Sequence, residues 1–405
     1  MDLGFLTKID VDRRKFASLM LLIFGSLSWF FVFTRQMSNI FNIITSTTDW
    51  GNYVGNTLFY GSIILSALVI SYIGSRIARR KLLFTSIILG IFSTILLGFL
   101  EGTFFATILS CLMGISLGLG LPSSMALIAD YTSVENRGRV SGILILGTFI
   151  TASVAMGLDV FLKLDTFGLI MLLAVLRSIS IIPLCMEKFE RIPAIPKKRR
   201  LLSYNYKDFI VYISVFFLFS VASGLAWNLI PAKFQPQVDM GSIIRYALIA
   251  VFGIVAGIMA DRVGRKQPII IGLATLGVGF LLIGFNPSGE SVLIYSALSG
   301  ITWGSFFVVF LAIPGDLSFP SSREKFYALG YILPLTGLFI IAAIPTVSLA
   351  EIADPATISQ FLGFCLFIAI YPLSRAKETL TESKKHEREI KEHLEMVKKM
   401  IQEEK

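Results

Sequence analysis

The feature that most constrains this chain is a succession of apolar stretches, each long enough to cross a bilayer. A helical span needs about 20 mostly apolar residues. Twelve such stretches lie at roughly 16–36, 52–74, 82–100, 103–128, 140–162, 167–186, 209–231, 241–260, 268–286, 291–313, 326–349 and 356–374. Backbone groups in hydrocarbon must find their hydrogen bonds within the segment, so runs of this length are helices, whereas a barrel would show alternating ten-residue strands. Composition agrees, with 55% hydrophobic and only 16% charged residues and a mean hydropathy of +0.76. Lipid is the expected solvent for most of this surface. The first run lacks a small-residue cleavage site and carries Arg35 near its end, which makes it an uncleaved span.

Several kinds of chemistry are not expected. Cys111, Cys185 and Cys365 fall in apolar runs with neither disulfide nor metal spacing, and His386 and His393 lie far from any span. A histidine relay or metal site in the membrane is therefore excluded. No Ser/His/Asp set, HExxH motif or carboxylate dyad stands in or beside the spans, so an enzyme is not expected, and no catalytic residue or cofactor is assigned.

The net charge of +9 invites a nucleic-acid reading, but the basic residues sort by loop parity instead. All of the Lys and Arg except Arg35, Lys163, Arg177, Lys233 and Arg245 fall on the N-terminal segment, the even-numbered loops, the linker after the sixth span or the tail. By the positive-inside rule both termini are cytoplasmic, in a multi-pass protein of the cell membrane whose partner is the bilayer and not nucleic acid. The expected organisation is a cytoplasmic N-terminus at 1–15, a six-helix bundle at 16–187, a basic linker at 188–208, a second bundle at 209–374 and a charged tail at 375–405. Ile390, Leu394, Val397 and Ile401 share a helical stripe in that tail, which suits a membrane surface or a partner helix.

The two halves are related. SCLMGISLG at 110–118 matches SALSGITWG at 296–304, an offset of 186 residues (Ser110 to Ser296). The same offset lays SRIARR at 75–80 on DRVGRK at 261–266, and pairs Asp130 with Asp316 and Arg137 with Arg323. Charged loop residues in one ungapped register point to duplication. Six helices separate the copies, so the halves enter the membrane in the same orientation, a repeat type found in transporters.

At this point the segment Gly257-Ile-Met-Ala-Asp261-Arg262-Val-Gly264-Arg265-Lys266 resembles the G-x-x-x-D-R-x-G-R-R signature of the major facilitator superfamily, with Lys at the last place. The resemblance extends over roughly 16–374 and implies two parallel six-helix bundles around a central cavity, working by alternating access. It also implies gating roles. Asp261 would cap a helix across the interface between halves, and Arg265 would pair with Asp316. Gly257, Arg262 and Gly264 complete that motif, and Gly264 permits the tight turn. The first-half copy keeps Arg76, Arg79 and Arg80 but has Ser71, Ser75 and Ala78 where the family has Gly, Asp and Gly, so a weaker latch is expected there. Asp130, Arg137 and Arg323 resemble the family's closing loops. Ser110 stands where many proton-coupled members have Arg, and the fifth helix lacks a Gly-Pro motif, which disfavours drug/proton antiport.

Ionisable groups inside spans are costly and usually face a cavity or a partner. In the resembled family the first and fourth helices of each half line the cavity. This favours Arg35, with Asn39, Arg177, Asn228 and Lys233 as further solute-binding candidates. Trp29, Ser38, Trp227 and Trp303 either complete a pocket or only pack. Basic groups without mid-span acids point to an anionic or zwitterionic small solute. A non-transporting sensor or scaffold of the same fold is the alternative, and either reading is compatible with a monomer.

Overall fold

A computed structural model describes residues 11–47, 54–187, 189, 202–230, 234–342 and 354–380. Among the described residues there are twelve long helices and no strand. In the N-terminal half they are α1 (Arg13–Thr45), α2 (Asn56–Ile73), α3 (Arg79–Leu97), α4 (Thr103–Tyr131), α5 (Arg137–Leu162) and α6 (Thr166–Met186). In the C-terminal half they are α7 (Leu202–Leu229), α8 (Gln235–Arg262), α9 (Lys266–Phe285), α10 (Gly289–Leu317), α11 (323–342) and α12 (Pro355–Arg375). Eleven are long and apolar enough to cross a membrane, and the described part of α11 is the twelfth apolar helix. Exposed Leu65, Val69, Phe92, Phe361, Phe364 and Ile368 form part of an outward apolar belt, the arrangement that lipid favours.

Two helices outrun the apolar runs that announce them. Hydropathy falls after Arg35, where Gln36, Ser38 and Asn39 follow, yet α1 continues to Thr45. Likewise α8 begins at Gln235, ahead of its apolar run. Polar residues do not end a helix whose backbone bonds are internal. They mark where one face meets polar groups, as Gln36 does by donating to Asp159 of α5 at 3.3 Å. α1 also contains a π-helical turn at Phe24–Ser28, where Gly25 comes so close to Ser180 of α6 that a Cβ would lie 2.8 Å from the Ser180 backbone nitrogen.

The duplication is visible in the packing. A Cβ on Gly300 of α10 would lie 2.8 Å from the Arg245 carbonyl oxygen of α8, and one on Gly304 would lie 2.8 Å from that of Ile249. Gly114 and Gly118 of α4 make the same approaches to the carbonyls of Phe59 and Ile63 of α2, each residue 186 positions earlier. Without a hydrophobic force between helices in lipid, such small residues permit the backbone contact that holds them together. Ser116 of α4 donates to the Ser86 carbonyl of α3 at 2.6 Å, and Thr302 of α10 to the Gly272 carbonyl of α9 at 2.9 Å, again the same pair of positions. The halves meet along α5 with α8 and α2 with α11, and a Cβ on Gly257 would stand 2.5 Å from the Gly138 carbonyl oxygen.

Candidate latch and solute site

At the end that carries the basic loops, the halves are tied by buried ion pairs. Asp261, at the C-terminal end of α8, accepts from the backbone N–H groups of Gly138 and Arg139, each at 2.8 Å. These are orphan donors at the start of α5, where the helix dipole also favours a carboxylate. Arg265 donates from Nη1 to Asp261 at 2.6 Å, from Nε to Asp316 of α10 at 2.9 Å and from Nη2 to the Val134 carbonyl at 2.6 Å. Arg137 reaches Asp316 across the interface, and Arg139 lies 3.3 Å from Asp261. Burial alone would lower the pKa of Arg265, but the Asp316 and Asp261 carboxylates more than offset it and the net shift is upward. Gly264 has φ of +132°, the turn that only glycine adopts without strain.

The first-half copy is arranged as a mirror of this one, with a single exchange. Arg79 pairs with Asp130 as Arg265 does with Asp316, and Arg323 crosses to Asp130 as Arg137 does to Asp316. Sequence places Ser75 where the second half has Asp261. The second carboxylate on Arg79 comes instead from Glu324 of α11, whose Oε1 accepts from Nε at 3.0 Å and from Nη2 at 2.8 Å. Glu324 occupies the position equivalent to Gly138, so the acid has moved from one side of the interface to the other. Both side chains are buried, Arg79 and Glu324 each at 2% exposure. The eroded motif at Ser75 is thus answered in trans. Arg76 and Arg262 are exposed.

Residues beyond α12 join the same end. Glu378 accepts from the backbone N–H of Arg265 at 2.9 Å and of Lys266 at 3.2 Å, capping α9, while Thr379 donates to Asp316 at 3.2 Å. The Lys266 ammonium donates to the Ser374 and Ala376 carbonyls. The first residues of the stretch expected as a charged tail, 375–405, pack on the α8–α9 loop. The amphipathic stripe at 390–401 lies outside the described residues.

Toward the opposite end, four aromatic rings from four helices close the centre. Phe31 of α1 lies 5.0 Å from Phe149 of α5 and 5.5 Å from Phe307 of α10, Phe149 and Phe307 are 6.0 Å apart, and Tyr246 of α8 is 5.8 Å from Phe149. One turn beyond Phe31, the Arg35 guanidinium stands 5.8 Å from the Tyr246 ring centroid, a cation–π contact between the halves. Arg35 and Asn39 share one face of α1, and both are exposed. Trp303 is buried among Phe219 and Phe307.

The structure does not bring all the sequence candidates together. Arg177 is buried inside the N-terminal bundle, where its contacts are to Trp29, Gly90 and Ser116 rather than to Arg35. Lys233 and the side chain of Asn228 lie outside the described residues. The aromatic floor and Glu324 were not anticipated; the 186-residue register would have flagged the acid, since it aligns Glu324 with Gly138. Among the described residues no group of three or more His, Cys, Asp or Glu is placed to hold a metal.

Two parallel bundles joined by α2–α11 and α5–α8, tied at one end by cross-interface ion pairs, define a membrane carrier built as two halves about a central seam. The comparisons agree. The family model described as Major Facilitator Superfamily matches residues 15–232, and that described as Sugar (and other) transporter matches residues 211–390. The chain belongs to the Major Facilitator Superfamily of transporters. It is 27% identical over 312 residues to the "Uncharacterized MFS-type transporter MJ1317" of Methanocaldococcus jannaschii, covering 72% of this chain and 76% of that relative. Its fold matches the crystal structure of the human organic anion transporter MFSD10 (TETRAN) with a TM-score of 0.65 and 15% identity, over 89% of this chain and 99% of that one. The proton:xylose symporter XylE, solved with 6-bromo-6-deoxy-D-glucose bound, also scores 0.65 at 15% identity, over 90% and 95% of the two chains.

Proposed function

We propose that this transporter moves a small organic anion by alternating access, with Arg35 as the group that binds the anionic part of the solute. The observation that carries this reading is the exposed Arg35 over Tyr246, one turn beyond the Phe31–Phe149–Phe307 floor, at the seam between the halves. A guanidinium offers a planar fork to a carboxylate or phosphate, and the aromatic floor packs an apolar remainder. Asn39 lies one turn further along the same face, able to fix orientation. Support of a weaker kind comes from the likeness to an organic anion transporter.

In this reading the basic end is cytoplasmic, both termini are inside, and the cell membrane holds a chain that works as a monomer. The bundles run over 16–187 and 209–374, joined by a basic linker at 188–208. The ion pairs of Asp261, Arg265, Asp316 and Arg137, together with those of Arg79, Asp130, Glu324 and Arg323, keep the cytoplasmic end shut while the other end admits solute. Substrate release requires both networks to open.

A neutral sugar is the second reading, favoured by the family match over 211–390 and by the likeness to a xylose symporter. A sensor without transport has no feature in its favour. Proteoliposomes loaded with the purified chain and assayed for uptake of an organic-anion panel and a sugar panel, with and without a pH gradient, separate these readings. Uptake of organic anions is expected; uptake of sugars alone would overturn the assignment.

A further inference from the structure

Arg177 sits in the interior of the N-terminal bundle with 1% of its surface exposed. Among the described residues its one acceptor is the Ser116 hydroxyl, reached from Nη2 at 3.2 Å. Nε and Nη1 meet no acceptor among the described residues, and no carboxylate there pairs with the guanidinium. Trp29, whose ring centroid lies 5.8 Å from the guanidinium carbon, is itself 1% exposed and also has an unanswered Nε1–H. Gly90 of α3 leaves room for the arginine head, because a Cβ there would lie 2.8 Å from Nε.

The repeat shows that packing does not demand this charge. In α12 the N-cap Asp354 matches Asp165 of α6, and Gly284 meets Ala356 and Gln360 as Gly98 meets Phe167 and Met171, so the counterpart of Arg177 is Leu366, a fully buried apolar residue. Around it the scaffold is shared, since Ser116 and Thr302 hold the same hydrogen bond to the neighbouring helix. The arginine is therefore an addition to a bundle that packs without it. An ion removed from water without a partner is strongly destabilising, so a compensating charge is required. Among the described residues the surroundings supply donors and one hydroxyl, and no acid.

We propose that the N-terminal bundle binds a small monovalent anion, of halide to formate size, on Arg177, at a site separate from the central seam. One positive charge sets the valence, and the enclosure of a guanidinium only 1% exposed calls for a small ion. Trp29 directly follows the π-helical turn of α1, so occupancy would also fix the segment that leads to Phe31 and Arg35.

Trp29 is its own reporter. In the full-length chain with Trp50, Trp227 and Trp303 changed to Phe, iodide added at constant ionic strength against gluconate should quench emission saturably, and chloride should compete. Arg177→Gln should lose the saturable phase, while Arg35→Gln should keep it. Linear collisional quenching with the same slope in Arg177→Gln overturns the proposal. So does loss of saturation in Arg35→Gln with retention in Arg177→Gln, which would put the ion in the central seam. Should Arg177→Gln fail to fold, Arg35→Gln, which lacks the group proposed to hold organic anions such as gluconate, still decides: chloride in place of gluconate should raise its thermal unfolding midpoint, and an unchanged midpoint overturns the site.

Discussion

Glu324→Gln removes the carboxylate that the C-terminal half lends to Arg79. Arg79 is buried and uses three donors, two of them on Glu324 Oε1 and one on Asp130. Breaking a buried pair by removing one partner costs roughly 3–5 kcal/mol. Asp130 remains and the glutamine oxygen can still accept, so the lower end applies, about 3 kcal/mol. At about 1.4 kcal/mol per tenfold this shifts the balance between closed and open basic ends on the order of 100-fold toward open. The assay is a spin-label distance between exposed Ser133 of the α4–α5 loop and Ser321 of the α10–α11 loop, in a background free of Cys111, Cys185 and Cys365. A longer-distance population should appear in Glu324→Gln. Adding Ser75→Asp, which restores the acid at the position equivalent to Asp261, should recover the short distance, a coupling that a double-mutant cycle reads directly. An unchanged distance in Glu324→Gln, or no recovery in the double variant, refutes the exchange of carboxylates between sides.

Two further substitutions test the frame around that latch. Glu378→Ala removes the cap on α9 and should lower the unfolding midpoint by the equivalent of about 1 kcal/mol, measured in detergent by differential scanning fluorimetry. Gly118→Leu drives a side chain into the α2 backbone and should abolish monodisperse expression, whereas Gly61→Ala, which has nothing within 4 Å of its Cβ, should leave the elution profile intact on size-exclusion chromatography.

The frame was legible because lipid imposes a simple rule on sequence, and because a duplication leaves a constant register. Twelve apolar runs gave the helices, and the 186-residue offset paired Ser116 with Thr302 and Arg79 with Arg265 before any coordinates. Helix ends were less legible: α1 and α8 outrun their apolar runs, and in α1 Gln36 meets Asp159 of α5 rather than lipid. Side-chain partnerships were harder still. Glu324 meets Arg79 across 245 residues, a relation that depends on how the halves dock. Glu378 lay hidden in a run of charged residues that reads as tail. Arg35 and Arg177 look alike as isolated basic residues in apolar segments, and only helix rotation separates an exposed group at the seam from one enclosed in a bundle.

Counterflow of a radiolabelled organic anion into liposomes, compared between the native chain and Arg35→Gln at equal reconstituted protein, addresses the proposed solute site itself. Saturable counterflow in the native chain and its loss in Arg35→Gln, with an unchanged unfolding midpoint, is the expected result. Equal counterflow in the two proteins would contradict the placement of the anion on Arg35.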